Sequence, residues 1–266
     1  MQKSSLPKRK RRAMTTEAAR RVKFAGHAAE REFAELVGGQ IYPGSRKRDV
    51  VDPFGNIHSV KSGKLKWQIF LYSRARFEMS VGFLGAKFFI DCIDAFPNTW
   101  AIYQRSKRSS KLRLKPRMRA LKQFLTEISS PVFLHANKLI FLQEALFHSS
   151  EVDFLSIKEN STFHIFDASE VQQVIDVAVT VANSKARRKG ETDDQKVLFK
   201  LHDKDLTIGE IEIRTDSKVH YRRVKFWMSR TKTLELLREK IGAQKNKSPH
   251  IITYGKAGSR LKLKTS

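Results

Sequence analysis

Between Gly26 and Ser62 the apolar residues change period, and that change restricts the chain to folds in which a helix leads straight into short strands. In GHAAEREFAELVGG, Ala29, Phe33, Leu36 and Val37 recur at helical spacing and Gly38-Gly39 supplies the stop. Beyond it come an extended piece at 40–42, a Pro43-Gly44-Ser45 turn and a strand around Asp49-Val50-Val51. The turn Asp52-Pro53-Phe54-Gly55-Asn56 then leads into a strand at 57–62. An α/β fold is expected, with a central mixed sheet flanked by helices.

Further along, residues 65–80 hold the unbroken apolar run Ile69-Phe70-Leu71, which fits a strand or a helix; the length of the segment favours a helix. Helices are expected at about 83–95, 114–128 and 132–147, followed by a hairpin over 152–167. A further helix should carry Val171, Val174, Ile175, Ala178 and Val181 on one face. The wholly polar stretch SKARRKGETDDQ at 184–195 reads as a flexible loop. After it, segments 197–201, 206–214 and 221–227 form a small antiparallel unit, and a helix at about 232–241 and a basic tail close the chain. The expected organisation is a basic arm at 1–24, a core with a helical insertion at 25–183, the polar loop, and a C-terminal β/α portion at 196–266. That last portion is either a domain of its own or part of the first.

Charge narrows the partners. Lysine and arginine number 52 against 27 aspartates and glutamates, a net charge of +25. A polyanion is the natural partner of such a chain. Residues 1–24, with the run KRKRR and a single acid, Glu17, read as an arm that orders on one. No apolar run reaches the roughly 18 to 20 residues of a membrane span, and no apolar segment of a secretory leader follows the basic start. No membrane association is expected. With 40% apolar residues a packed core is within reach, and the lone Cys92, among Phe88, Phe89, Ile90 and Ile93, reads as a core thiol.

Chemistry concentrates in the same opening segment. Gly26 and Glu30 share the first helix, Gly44 lies in a turn, Asp49 stands on a strand, and Ser59-Val60-Lys61 occupy the next. On a strand, Ser59 and Lys61 point to one face while His58 and Val60 point to the other. In this order these residues resemble the PD-(D/E)xK nuclease superfamily, and within it the type II restriction endonucleases that carry an SxK strand. The resemblance covers residues 26–80. It implies a restriction-endonuclease-like core and Mg²⁺-dependent hydrolysis of phosphodiesters in double-stranded DNA at a short sequence. Asp49 and Lys61 would act with Ser59, and Mg²⁺ would be held by Asp49 together with Glu30 or Glu78. A hydroxyl at Ser59 replaces the usual carboxylate and is a poorer Mg²⁺ ligand, so the second acid comes from elsewhere.

The same resemblance implies a homodimer, since two copies of one site cut both strands of a palindrome, and a bacterial or archaeal cytoplasmic setting at the nucleoid. Other readings are a structure-specific nuclease such as a Holliday-junction resolvase and a non-catalytic nucleic-acid-binding protein. Candidate DNA contacts are Lys64, Lys66, Gln68, Arg74 and Arg76, downstream of Lys61, and Arg222 and Arg223 in the C-terminal portion. Gln68 and Tyr72, four apart, would share a helical face. Glu210 and Glu212 form a rival acid pair on one strand face, without a lysine two residues on.

Overall fold

The computed structural model describes residues 15–42, 48–63, 65–79, 83, 85–128, 137–148, 151–186, 191–242 and 244–263. A long first helix, α1 (Thr16–Val37), is followed by β1 (Gln40–Ile41), β2 (Val50–Val51), β3 (Ile57–Lys61) and β4 (Lys66–Tyr72). The helices α2 (Arg74–Met79), α3 (Ala86–Asp94), α4 (Trp100–Arg105), α5 (Lys107–Thr126) and α6 (Asn137–Phe147) come next. Then follow β5 (Phe154–Glu159), β6 (Thr162–Asp167), α7 (Ala168–Ala178), β7 (Val179–Asn183), β8 (Lys196–Leu201), β9 (Thr207–Ile213) and β10 (Val224–Ser229). The chain closes with α8 (Arg230–Ile241), β11 (Gln244–Ser248), β12 (Ile251–Tyr254) and α9 (Ala257–Arg260).

The strands form a mixed seven-stranded sheet, β1-β2-β3-β5-β6-β12-β11, and an antiparallel five-stranded sheet, β4-β10-β9-β8-β7. In the first, β1, β2 and β3 run as an antiparallel meander, and β5 then joins β3 in parallel with Ser59 opposite Leu155 and Lys61 opposite Ile157. Parallel neighbours need a long crossover, and here the whole stretch from β4 to α6 supplies it. The segment 196–266 contributes strands to both sheets.

Strand alternation divides the core. On one face of the mixed sheet, Val60, Phe154, Phe163 and Ile165 pack with Phe33, Ala34 and Val37 of α1 and with Ala257 and Leu261. The opposite face sends Leu155, Ile157, Phe166 and Tyr254 into the larger core, which continues through Trp67, Phe70, Phe141 and Phe226 of the second sheet and its helices. Cys92 is fully buried there, and burial raises its thiol pKa. The reading of it as a core thiol holds.

Several expectations are corrected. Residues 66–72 are a strand rather than a helix: Lys66 and Gln68 are exposed while Trp67 and Ile69 are buried, and β10 pairs with the strand from Lys66↔Ser229 to Tyr72↔Val224. Gln68 and Tyr72 therefore share no helical face. Val181 lies in β7, because α7 ends at Ala178. The expected basic tail contains β11, β12 and α9, and β12 is held by parallel pairing with β6. Arg222 and Arg223 precede β10 in a turn where Arg222 has φ of 59°. Part of the basic arm is helical, since α1 begins at Thr16; residues 1–14, the turn at 43–47 including Gly44, Lys64, and 187–190 of the polar loop lie outside the described residues.

Two histidines are buried in the mixed sheet. His58 stacks on Phe154, with Phe33 tilted against its other side, and makes contacts through both ring nitrogens, to Ser156 Oγ at 3.1 Å and Asp52 Oδ2 at 3.5 Å. Asp52 also accepts from the backbone of Phe54 and Asn56 and from the Asn56 side chain, closing the turn between β2 and β3. Burial pushes the Asp52 carboxyl up, but the hydrogen bonds from His58 and Asn56 outweigh it and hold the pKa below its usual value. Burial lowers the His58 pKa, and burial reinforced by Arg238 lowers that of His164 to about 4. Both rings are neutral in the fold, whereas in the unfolded chain they take up a proton near pH 6.5. Stability is therefore complete above that pH and should fall as pH drops below it, by up to about 1.4 kcal/mol per pH unit for each ring. Urea unfolding at pH 7.5 and pH 5 should give a lower midpoint at pH 5; equal midpoints would contradict neutral, buried imidazoles.

Candidate functional site

The end of β3 gathers the residues singled out by the sequence. Asp49 precedes Val50, which pairs with His58, and so lies beside Ser59 on the face away from α1. Its backbone N–H donates to the His58 carbonyl at 3.0 Å and its carbonyl accepts from Tyr42 N at 3.1 Å, which fixes the approach to β2. Ser59 and Lys61, two apart on β3, project to the same side.

Three donors meet at one carboxylate oxygen. Asp49 Oδ2 accepts from Val60 N at 2.7 Å, from the Lys61 ammonium at 3.2 Å and from Ser59 Oγ at 3.4 Å. Lys61 Nζ also donates to Ser59 Oγ at 2.6 Å and to the Val60 carbonyl at 3.2 Å. The other oxygen, Oδ1, carries no hydrogen bond among the described residues, and the side chains of Asp49 and Lys61 each remain 17% exposed while Ser59 is buried. The result is a preformed cation held against a carboxylate that keeps one oxygen free at the edge of solvent.

The other two acids stand elsewhere. Glu30 lies on α1, the helix that covers the opposite face of β3, and its carboxylate meets His27 Nδ1 at 3.0 Å. Glu78 accepts from Arg74 Nε at 2.7 Å, and Arg74 also binds Asp94. Among the described residues no three His, Cys, Asp or Glu side chains gather closely enough to hold a metal ion. The donor set at β3 is thus one carboxylate oxygen with the neutral oxygens of Ser59 and Val60 nearby. The neutral oxygens are both engaged by the Lys61 ammonium, so among the described residues a divalent ion here would have one protein carboxylate and would depend on water or substrate phosphate for its remaining ligands.

Most candidate DNA contacts are committed within the fold. Arg74 is shared by Glu78 and Asp94, and Arg222 binds Asp94 at 3.0 Å and Asn98 Oδ1 at 2.5 Å. Lys66 Nζ lies 3.4 Å from the centroid of the Trp227 ring, and Arg76 stacks over Tyr72 at 5.5 Å. Gln68 is exposed on β4 opposite Trp227, and Arg223 is half-buried with its carbonyl accepting from Arg214 N. The rival acids Glu210 and Glu212 are both bound by Lys196, so they serve as its counter-ions.

The network Asp52–His58–Ser156 escaped the sequence reading, although the Asx turn DPFGN announced one member of it. Carboxylate, imidazole and hydroxyl lie in series, yet all three residues are buried, and they hold strands together out of reach of any substrate. Comparison of the chain with protein-family models, with curated proteins and with solved structures found no match in any of the three.

Asp49 therefore ties β2 to β3 as well as presenting an oxygen. Replacing it with alanine leaves Val60 N–H and the Lys61 ammonium without their shared acceptor, at a cost of about 1–3 kcal/mol. Lys61→Met removes one donor and leaves the Val60 bond in place. Chemical denaturation should rank Asp49→Ala below Lys61→Met in stability; the reverse order would show that the carboxylate does not organise this strand end.

Proposed function

We propose that the chain is a Mg²⁺-dependent endonuclease of restriction type that hydrolyses phosphodiester bonds in double-stranded DNA, with Asp49, Ser59 and Lys61 at its reacting centre. The observation that carries the reading is the convergence of the Lys61 ammonium and a half-engaged Asp49 carboxylate on one strand end. The path of α1, an antiparallel β1-β2-β3 meander and a β5 strand parallel to β3 is compatible with a restriction-endonuclease-like core. The excess of 25 positive charges suits a polyanionic substrate.

Each residue has a distinct task. Val60 N–H holds Asp49 through Oδ2, which leaves Oδ1 as the oxygen that would hold the ion. An ion held there would lower the pKa of a bound water and place positive charge toward the phosphoryl oxygens. Ser59 orients Lys61 through the 2.6 Å hydrogen bond, which holds the ammonium ready before substrate arrives. As a phosphate approaches, Lys61 shares its protons between Asp49 and a phosphoryl oxygen, so that a fixed positive charge faces the charge that builds there. Two copies related by a two-fold axis would cut both strands of a palindromic site.

A second reading is a DNA-binding protein with a nuclease-like core that does not cut. The hydroxyl at Ser59 and the distant engagement of Glu30 and Glu78 favour it. Incubation with long linear DNA and Mg²⁺ separates the two. Discrete fragments are expected, abolished by EDTA and reduced by about 10² or more in Asp49→Ala and Lys61→Ala. DNA left intact by the folded protein across a range of Mg²⁺ and Mn²⁺ would favour the binder, and cutting that survives both substitutions would move the centre elsewhere.

A further inference from the structure

The longest described stretch of uncompensated charge lies outside the β3 site. Helix α5, KRSSKLRLKPRMRALKQFLT, has eight Lys and Arg and no Asp or Glu in its 20 residues. Its main apolar side is buried in the large core through Leu114, Met118, Leu121 and Leu125, and Leu112 alone among its leucines is exposed. Arg108, Lys111, Lys115, Arg119 and Lys122 recur at intervals of three or four, which places them in one stripe along a single flank. Arg108, Lys111 and Arg119 are exposed, and Lys115 and Lys122 are half-exposed.

Among the described residues the fold offsets little of this charge. Like charges four apart repel, and the first turn adds Lys107 and Arg108 at the positive end of the helix dipole, with no acid there to offset them. Asp194 is the one carboxylate that pairs with the stripe among the described residues, at 2.8 Å from Arg119 and 3.8 Å from Lys115. Arg108, Lys111 and Lys122 have no carboxylate partner among those residues.

We propose that this flank of α5 is the surface that tracks the DNA backbone. The partner rests on the nuclease reading; the location is independent of it. From Arg108 to Lys122 the stripe runs about 21 Å at 1.5 Å per residue, and duplex DNA presents one phosphate charge per about 1.7 Å of axis. The stripe therefore meets a linear array of negative charge along its whole length. It replaces Arg74 and Arg222, whose charges are neutralised inside the fold, as the main electrostatic contact. An anionic membrane suits it less, because a helix that lies in a lipid surface inserts an apolar face, and that of α5 is buried.

The test is binding of a fluorescently labelled DNA duplex, followed by polarisation across a salt series in EDTA, so that no cleavage takes part. Relative to the unaltered protein, the triple variant Arg108→Gln/Lys111→Gln/Lys122→Gln should bind more weakly. Its log K against log salt slope should be smaller in magnitude by about 2 to 3, near 0.9 per lost phosphate contact. Asp194→Asn, which frees Lys115 and Arg119 and suits the positive φ of 59° at that position, should bind more tightly. An unchanged slope and affinity in the triple variant would overturn the proposal and leave the nuclease reading standing. Stronger binding to phosphatidylserine vesicles than to DNA would overturn it in favour of a membrane. Loss of cleavage in Asp49→Ala with the triple-variant effect intact would support α5 as the DNA surface whatever the fate of the catalytic reading.

Discussion

The buried hydrogen bonds of His58 set the register of β3, and the chemistry on the other side of that strand depends on the register. One imidazole joins the Asp52 turn to Ser156 on β5 while its ring packs between Phe33 of α1 and Phe154. A slip of one residue would exchange the two faces of the strand, placing the Lys61 ammonium under α1 and His58 in the site. The cost of stranding an ionic group in that core excludes the alternative. The same interaction that closes the smaller core thus holds Ser59 and Lys61 beside Asp49.

Asp49 has a structural role that suits a reacting group. Its Oδ2 closes the gap between β2 and β3 by accepting the Val60 N–H, so the carboxylate is positioned by the backbone itself. A side chain anchored through one oxygen can offer the other without reorganising, which is the preorganisation that electrostatic catalysis requires. Lys61 is tethered in the same way, through Ser59 and the Val60 carbonyl. Ser59, a neutral hydroxyl, adds no negative charge beside Asp49 and gives the ammonium a fixed hydrogen bond.

What could be read from the sequence was local. The helical period of Ala29, Phe33 and Val37, the turn chemistry of DPFGN, the hairpin at 154–167 and the alternation that joins Ser59 to Lys61 all act within a few residues. The missed features depend on distant partners. Segment 66–72 becomes a strand because β10 pairs with it from the far end of the chain, and β11, with the polar text QKNKS, is an edge strand held by β12. Arg74 and Arg222 looked available for DNA because Asp94, which engages both, is 20 residues from one and 128 from the other. Glu30 is a candidate ligand only through the resemblance, and its helix packs on the face of β3 that Lys61 leaves.

The central proposal is that Asp49 Oδ1, which carries no hydrogen bond among the described residues, is a divalent-metal ligand. Titration of the folded protein with Mn²⁺ in the presence of duplex DNA, read by the electron paramagnetic resonance of the free ion, tests it directly. The intact protein should remove more free Mn²⁺ than the complex of the Asp49→Asn variant, by one ion per chain at saturation. Identical titration curves for the two proteins, both still bound to DNA, would contradict it.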